Sequence, residues 1–324
     1  MSKTKLRLAV VIPCYKEQAH VLEVIAGIPE DVTAIYCVDD ACPDGTGDWI
    51  NEHCKDPRVR VLMNAQNLGV GGAVLEGYRA ALADDSDIVV KLDGDGQMDP
   101  ALISSLIAPI LNRQADYTKG NRFFQLDFLS DMPTSRILGN AGLSILTKLS
   151  SGYWNIFDPT NGFTAIHASA LKLLPLEKIS QRYFFESDML FRLGTIRAVV
   201  QDVPQKAVYQ NETSHLNIWR SIPEFAWKHI KNITKRIFYN YFLRDFSVAS
   251  LQLLLGPAMV IFGLLFGLSS WWENSANGVA TPTGTIMIVT ISLIMGTQFL
   301  LSALNFDLMN QPKTPLQTLM GHAG

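Results

Sequence analysis

Cysteine is scarce: the chain has four in 324 residues, Cys14, Cys37, Cys42 and Cys54, all in its first fifth. No two form a C-x-x-C pair and none stands with histidines, which argues against a zinc site. Buried thiols of a reducing compartment are expected instead. An excess of one charge is also missing. The 27 Lys and Arg against 30 Asp and Glu leave a formal net charge of −3, so bulk charge offers no grip on nucleic acid. No signal peptide is expected, because the apolar run behind Lys3, Lys5 and Arg7 is short and ends at Pro13. Gly69, Gly71 and Gly72 match neither G-x-G-x-x-G nor a Walker loop; they are expected to allow tight helix packing.

The most informative absence is of charge towards the C-terminus. No charged residue occurs from Ser247 to Trp272, and after Glu273 none occurs until Asp307. Each stretch holds the roughly 20 apolar residues that span a bilayer, and the spans are expected at Val248–Trp271 and Gly284–Phe306. The intervening loop, 273–283, has no Lys or Arg, whereas cations precede the first span and Lys313 follows the second. The positive-inside bias then puts both termini in the cytoplasm and the loop outside. Gly263 and Gly267 form a G-x-x-x-G suited to helix packing within the pair or in a homo-oligomer.

Ahead of the spans, Ser221-Ile222-Pro223-Glu224 has the form of a helix start. Ala226, Ile230, Ile233, Ile237 and Tyr241 recur at helical spacing, with Trp227, Phe238 and Phe242 widening the face and Lys228, Lys231, Lys235 and Arg236 beside it. This pattern predicts an interfacial helix on anionic lipid; a helix packed on the catalytic domain is the alternative.

In the first two thirds, short apolar runs at 6–12, 34–38, 59–62 and 88–90 alternate with helical patterns at 18–28, from Gly47, at 67–83 and after Pro100. Such alternation predicts an α/β fold, Rossmann-like, with a mostly parallel sheet. Ligands of these sheets bind at the carboxyl ends of strands, so Pro13–Glu17, Asp39–Asp40 and Asp93–Gln97 should share one rim. Asp93, Asp95 and Gln97 offer hard oxygen ligands at a glycine turn, suited to Mg²⁺ or Mn²⁺. A bare D-x-D is also what an acidic turn looks like.

Four motifs in order go further. Val10-Val11-Ile12-Pro13-Cys14-Tyr15-Lys16-Glu17, Val38-Asp39-Asp40 with Asp44-Gly45-Thr46, Asn67-Leu68-Gly69 and Asp93-Gly94-Asp95-Gly96-Gln97 together resemble family 2 glycosyltransferases of the GT-A fold. The nearest type is the polyprenyl-phosphate sugar transferases, such as the dolichyl-phosphate mannose synthases and bacterial undecaprenyl-phosphate glucosyltransferases.

The resemblance implies a metal-dependent, inverting transfer from a nucleotide sugar to a polyprenyl (undecaprenyl or dolichyl) phosphate at the cytoplasmic membrane, serving the cell envelope. A UDP-sugar such as UDP-glucose is expected ahead of GDP-mannose. Pro13, Tyr15, Glu17, Asp39, Asp40 and Asp93 would bind the donor, and Asp93, Asp95 and Gln97 the metal. Arg122, Ser135, Arg136 and His215 would meet the acceptor, where arginine grips phosphate with a planar fork; relatives often carry Ser-Lys where this chain has Ser214-His215. Asp158, in Asp158-Pro159-Thr160-Asn161-Gly162-Phe163, and Asp188 would act with Arg136 at the reacting centre, by positioning first and as a base second, because a phosphate acceptor is already mostly ionised. Asp188 could also be a plain helix N-terminal residue.

The expected organisation is a GT-A catalytic domain at 1–215, an amphipathic interfacial region at 216–246, a two-helix hairpin at 247–307 and a cytoplasmic tail at 308–324. A processive polysaccharide synthase is the enzymatic alternative, but it would carry more spans and a Q-x-x-R-W-type element. A non-catalytic scaffold is the other, against which stand the intact Asp93, Asp95 and Gln97.

Overall fold

The computed structural model describes residues 6–123, 134–205 and 218–320. The chain forms two compact units, Met1–Ile233 with Pro312–Gly324, and Thr234–Gln311.

In the first unit the expected alternation runs β1 (Leu8–Cys14), α1 (Val21–Ala26), β2 (Val32–Asp39), α2 (Thr46–His53), β3 (Val59–Met63), α3 (Val70–Ala83), β4 (Ile88–Lys91), α4 (Ile103–Leu111) and β5 (Tyr117–Asn121). It continues through α5 (Thr134–Ser151), β6 (Thr164–His167), α6 (Ala168–Leu173), α7 (Phe185–Thr195), β7 (Val200–Pro204) and α8 (Ile218–Ile237), whose last four residues belong to the second unit. Seven strands make one sheet in the order β3-β2-β1-β4-β6-β5-β7. β3, β2, β1 and β4 are parallel to one another, as is β7 to β5. β6 runs antiparallel to both β4 and β5. That reversal is not readable in a short apolar run, because four residues carry no sense of direction and tertiary pairing sets it. It matters for the site: Thr164, at the start of β6, pairs with Lys91 at the end of β4. The loop before β6 is thereby delivered to the rim that carries Asp93.

The strands are apolar on both sides because helices cover both faces. Ala9 and Val11 pack with Tyr36, Val38, Val74 and Met189 on one side. Val10 and Ile12 pack with Ile25, Ile35, Val90 and Leu106 on the other. Full burial of each large aliphatic contributes roughly 1.5–3 kcal/mol. Pro13, expected to close β1, lies inside it. The β4 partner stops at Val11, so a missing N–H at position 13 breaks no bond on that side.

α8 starts at Ile218, with Pro223 inside it rather than at its first turn. The face it turns inward is mixed: Phe225 meets the buried Phe184 edge to face, and polar side chains lie beside it. His229 and Asn232 are buried; His229 Nδ1 lies 2.9 Å from Ser150 Oγ of α5, and Asn232 Nδ2 donates to Asp188 Oδ1 of α7 at 3.0 Å. Trp227 and Ile230 are exposed, at 68% and 53%. The expected apolar stripe is thus split, and side-chain hydrogen bonds fix the inner face.

In the second unit, π-helical turns at Phe238–Arg244 lead to α9 (Val248–Ala276) and α10 (Thr283–Met309). These helices have 29 and 27 residues with mean hydropathy 2.1 and 2.0, about 40 Å each at 1.5 Å per residue. Both are long and apolar enough to cross a bilayer. Small residues bring them together: a methyl group on Gly263 would meet Leu293, and one on Gly267 would meet Val289, both at 2.9 Å. The G-x-x-x-G face is therefore used within the hairpin. Asp307, the first charge after the apolar stretch, is gripped by Arg236 at 2.7 and 3.1 Å and accepts from the Tyr241 hydroxyl at 2.6 Å.

The chain then rejoins the first unit. The Asp116 carboxylate accepts from the N–H groups of Leu316 and Gln317, at 2.9 and 3.1 Å, as α11 (Leu316–Met320) begins. Gln317 Nε2 donates to the carbonyls of Ile110 and Ala115. The segment expected as a tail is, over these residues, part of the sheet domain's edge.

Candidate active site

Three loops leave the carboxyl ends of β1, β2 and β4, and the loop before β6 joins them. After β1, the Glu17 carbonyl accepts from His20 and Val21 N–H and so starts α1. A methyl group on Gly94 would touch Glu17 Cβ and Cγ at 3.4 Å, which places Glu17 against the Asp93–Asp95 turn. Tyr15 is 44% exposed beside it.

After β2, both aspartates are buried and already hold backbone. Asp39 accepts from Cys42 N–H at 2.7 Å and Gly47 N–H at 2.6 Å. Asp40 accepts from Leu68 N–H, Gly69 N–H and the Asn64 amide at 2.7–2.9 Å. Their carboxylates thus organise the loops that open α2 and α3. The glycines of α3 do what helix packing requires: a methyl on Gly71 would collide with Phe185 and the Ser180 carbonyl at 2.7 Å, and Gly72 N–H donates to the Gln181 carbonyl at 2.8 Å.

After β4, Asp95 Oδ1 accepts from Gln97 N–H at 2.9 Å, with Gly96 at φ +74 turning the backbone. Asp93 has a partner the sequence reading missed. Lys91 is fully buried, and its Nζ lies 2.9 Å from Asp93 Oδ1 and 3.2 Å from Glu186 Oε1 on α7. The contact to Asp93 is an ion pair outside hydrogen-bond alignment. Burial pulls the lysine's pKa down, but the two carboxylates outweigh it and hold the ammonium charged. The signal for this in sequence is a lysine inside an apolar strand; its second partner is 95 residues away.

Before β6, Asp158 is wholly buried and held by a fork from Arg122: Nε to Oδ2 at 2.7 Å and Nη2 to Oδ1 at 2.9 Å. Lys119, also buried, donates to the Asn161 carbonyl, and burial lowers its pKa to about 8. Asp202 on β7 accepts from Phe157 N–H at 3.0 Å and from the Asn121 amide at 2.8 Å; burial raises its pKa to about 6. Gly162 completes the loop against β4, where a methyl group would collide with Asp93 Oδ2 and Lys91 Nζ. Asp158 and Asp93 therefore meet through this loop.

Asp188 lies in the first turn of α7, buried, accepting from Ser180 N–H at 2.9 Å and from Asn232. Ser135 and Arg136 open α5, but their side chains lie outside the described residues, as does His215. Among the described residues no three His, Cys, Asp or Glu side chains form a ready-made metal cage. Two carboxylates and an amide on one glycine turn instead suit an ion that keeps positions for phosphate and water.

The family model for glycosyl transferase family 2 matches residues 9–174. The undecaprenyl-phosphate mannosyltransferase of Micrococcus luteus is 32% identical over 203 residues, 61% of this chain and 82% of that protein. The UDP-N-acetylglucosamine–dolichyl-phosphate N-acetylglucosaminyltransferase of Methanococcus voltae is 30% identical over 213 residues, 61% of this chain and 84% of that protein. Among solved structures, glucosyl-3-phosphoglycerate synthase from Mycobacterium tuberculosis, in complex with Mn²⁺, UDP and phosphoglyceric acid, superposes with a TM-score of 0.53 at 19% identity, over 71% of this chain and 78% of that one. These likenesses establish the GT-A fold.

Proposed function

The chain belongs to glycosyl transferase family 2, and on that premise we propose that it moves a hexose from a nucleotide sugar to a polyprenyl phosphate, with inversion, at the cytoplasmic face of a membrane. The observation that carries this is the meeting of Glu17, Asp93 and the Asp158–Gly162 loop on one rim, in a chain that also has two apolar helices of spanning length. Likeness to proteins named for undecaprenyl and dolichyl phosphate supports the acceptor class.

Pro13, Tyr15 and Glu17 form one wall for the nucleoside, and Asp39 and Asp40 hold the loops that shape it. Asp93, Asp95 and Gln97 would hold Mg²⁺ or Mn²⁺, which when bound neutralises the leaving diphosphate as a Lewis acid. Asp158, fixed by Arg122, presents the loop beside the reacting sugar and keeps it dry. The phosphate acceptor is mostly a dianion near neutral pH and needs orientation more than deprotonation. Arg136 is our first choice to orient it, with Ser135 and His215 beside it. Because the Arg122 fork already engages Asp158, we assign Arg122 to holding the loop, with any contact to the acceptor made from its outer edge. The exposed Trp227 and Ile230 of α8, with Lys228 and Lys231, would lie on the lipid surface.

The test is a donor and acceptor panel on purified protein. UDP-glucose, UDP-galactose, UDP-N-acetylglucosamine and GDP-mannose are each offered with undecaprenyl phosphate, with unphosphorylated undecaprenol and with 3-phosphoglycerate. Nucleoside diphosphate release is expected with one donor, a UDP-sugar, and only with the lipid phosphate. Release with 3-phosphoglycerate alone would overturn the acceptor assignment.

A further inference from the structure

Two half-buried carboxylates share the fully buried Lys91, and this bears on the order of binding. We propose that Lys91 keeps the divalent ion out of the empty site, so that metal enters only together with the nucleoside diphosphate. The inference rests on the metal role of Asp93 proposed above.

Lys91 Nζ lies 2.9 Å from Asp93 Oδ1 and 3.2 Å from Glu186 Oε1, buried away from the solvent that could screen it. A fixed ammonium at that distance from a ligand oxygen repels a dication and holds one of the two oxygens of Asp93. The geometry leaves it no retreat. Gly162 closes over both groups so tightly that a single methyl group would collide with Asp93 Oδ2 and Lys91 Nζ. Lys119, a second buried cation, lies beyond at the Asn161 carbonyl. The protein side of the site therefore brings two carboxylates and an amide against a neighbouring positive charge, and among the described residues no three His, Cys, Asp or Glu side chains converge into a ready-made cage. A diphosphate brings two or more negative charges of its own, which offset the ammonium and complete the coordination shell. Glu186 is the counterweight. It shares the lysine from α7 and lets Asp93 keep enough negative charge to be a ligand once the donor arrives.

The experiment is Mn²⁺ binding to the detergent-purified full-length protein, read as loss of the free-ion electron paramagnetic resonance signal, with and without UDP. The parent should bind Mn²⁺ alone at least tenfold more weakly than with UDP. Lys91→Met should bind Mn²⁺ alone at least tenfold more tightly than the parent and become nearly indifferent to UDP. Glu186→Gln is an independent check should the methionine variant fail to fold: with the lysine answered by Asp93 alone, Mn²⁺ alone should bind at least threefold more weakly than to the parent. Parental affinity for Mn²⁺ alone in a folded Lys91→Met, or in Glu186→Gln, overturns the proposal while leaving the metal site intact. Absence of Mn²⁺ binding to the parent even with UDP and with GDP would instead overturn the metal assignment, and this inference with it.

Discussion

A methyl group at position 162 has no room, because Asp93 Oδ2 and Lys91 Nζ occupy it. Gly162→Ala must displace the loop or turn Asp93 away from the rim, and overpacking of this kind costs about 1–3 kcal/mol. The loss should fall on catalysis, with kcat down at least about tenfold and the melting temperature within a few degrees of the parent; parental kcat would mean that the loop and the metal turn are not in contact. Arg122 makes a second prediction. Its fork is the partner of a wholly buried Asp158, and removing one partner of such a pair costs roughly 3–5 kcal/mol. Arg122→Ala should lose stability on that scale, read by thermal unfolding, and Arg122→Ala with Asp158→Asn should recover part of it. Unchanged stability with a raised acceptor KM would return Arg122 to the lipid phosphate. The D-x-D-x-Q turn was legible because its residues are neighbours in sequence and follow an apolar strand. The Lys91–Glu186 and Arg122–Asp158 pairs were not, since each joins residues far apart along the chain and neither partner's spacing announces the other.

Elements show the same division. β1, β2, β3 and β4 follow from apolar runs, and α1 to α4 from helical spacing between them. The reversed β6 did not, and it is what brings Asp158 to the rim. α8 was legible as a helix, but the partners of its inner face were not, because His229 and Asn232 meet Ser150 and Asp188, each far away along the chain. Its docking carries a pH dependence. Burial holds His229 neutral, with its pKa lowered to about 4 against an ordinary value of 6.5; Asp188 pulls the other way, and less strongly. Between those values the unfolded chain takes up a proton that the folded chain refuses. The histidine's contribution is therefore fully present above pH 6.5 and is lost as pH falls towards 4, by about 2–3 kcal/mol. His229→Gln should flatten the fall in melting temperature across that window. An equal slope in both proteins would mean that His229 is not buried.

At the scale of the whole chain, residues that follow the hairpin rejoin the sheet domain at Asp116. The loop between the two apolar helices has no Lys or Arg, and on that ground it is expected on the side of the membrane away from the sheet domain. A cysteine placed at Asn277, in a variant with the four native cysteines replaced, should react with an impermeant thiol reagent in intact cells; reaction only after lysis would reverse the topology. The central claim is that the rim around Asp93 and Asp95 passes a sugar to a lipid phosphate. Its most direct test is to supply radiolabelled nucleotide sugar and undecaprenyl phosphate, with Mn²⁺ or Mg²⁺, to the purified parent and to Asp95→Asn, and to count label in the organic phase. The parent should move label into lipid, and the amide variant, equally folded, should lose all but about a hundredth of that rate, since one ligand charge is gone at nearly constant shape. Equal organic-phase label from both proteins, or none from the folded parent with any of the four donors, would contradict it.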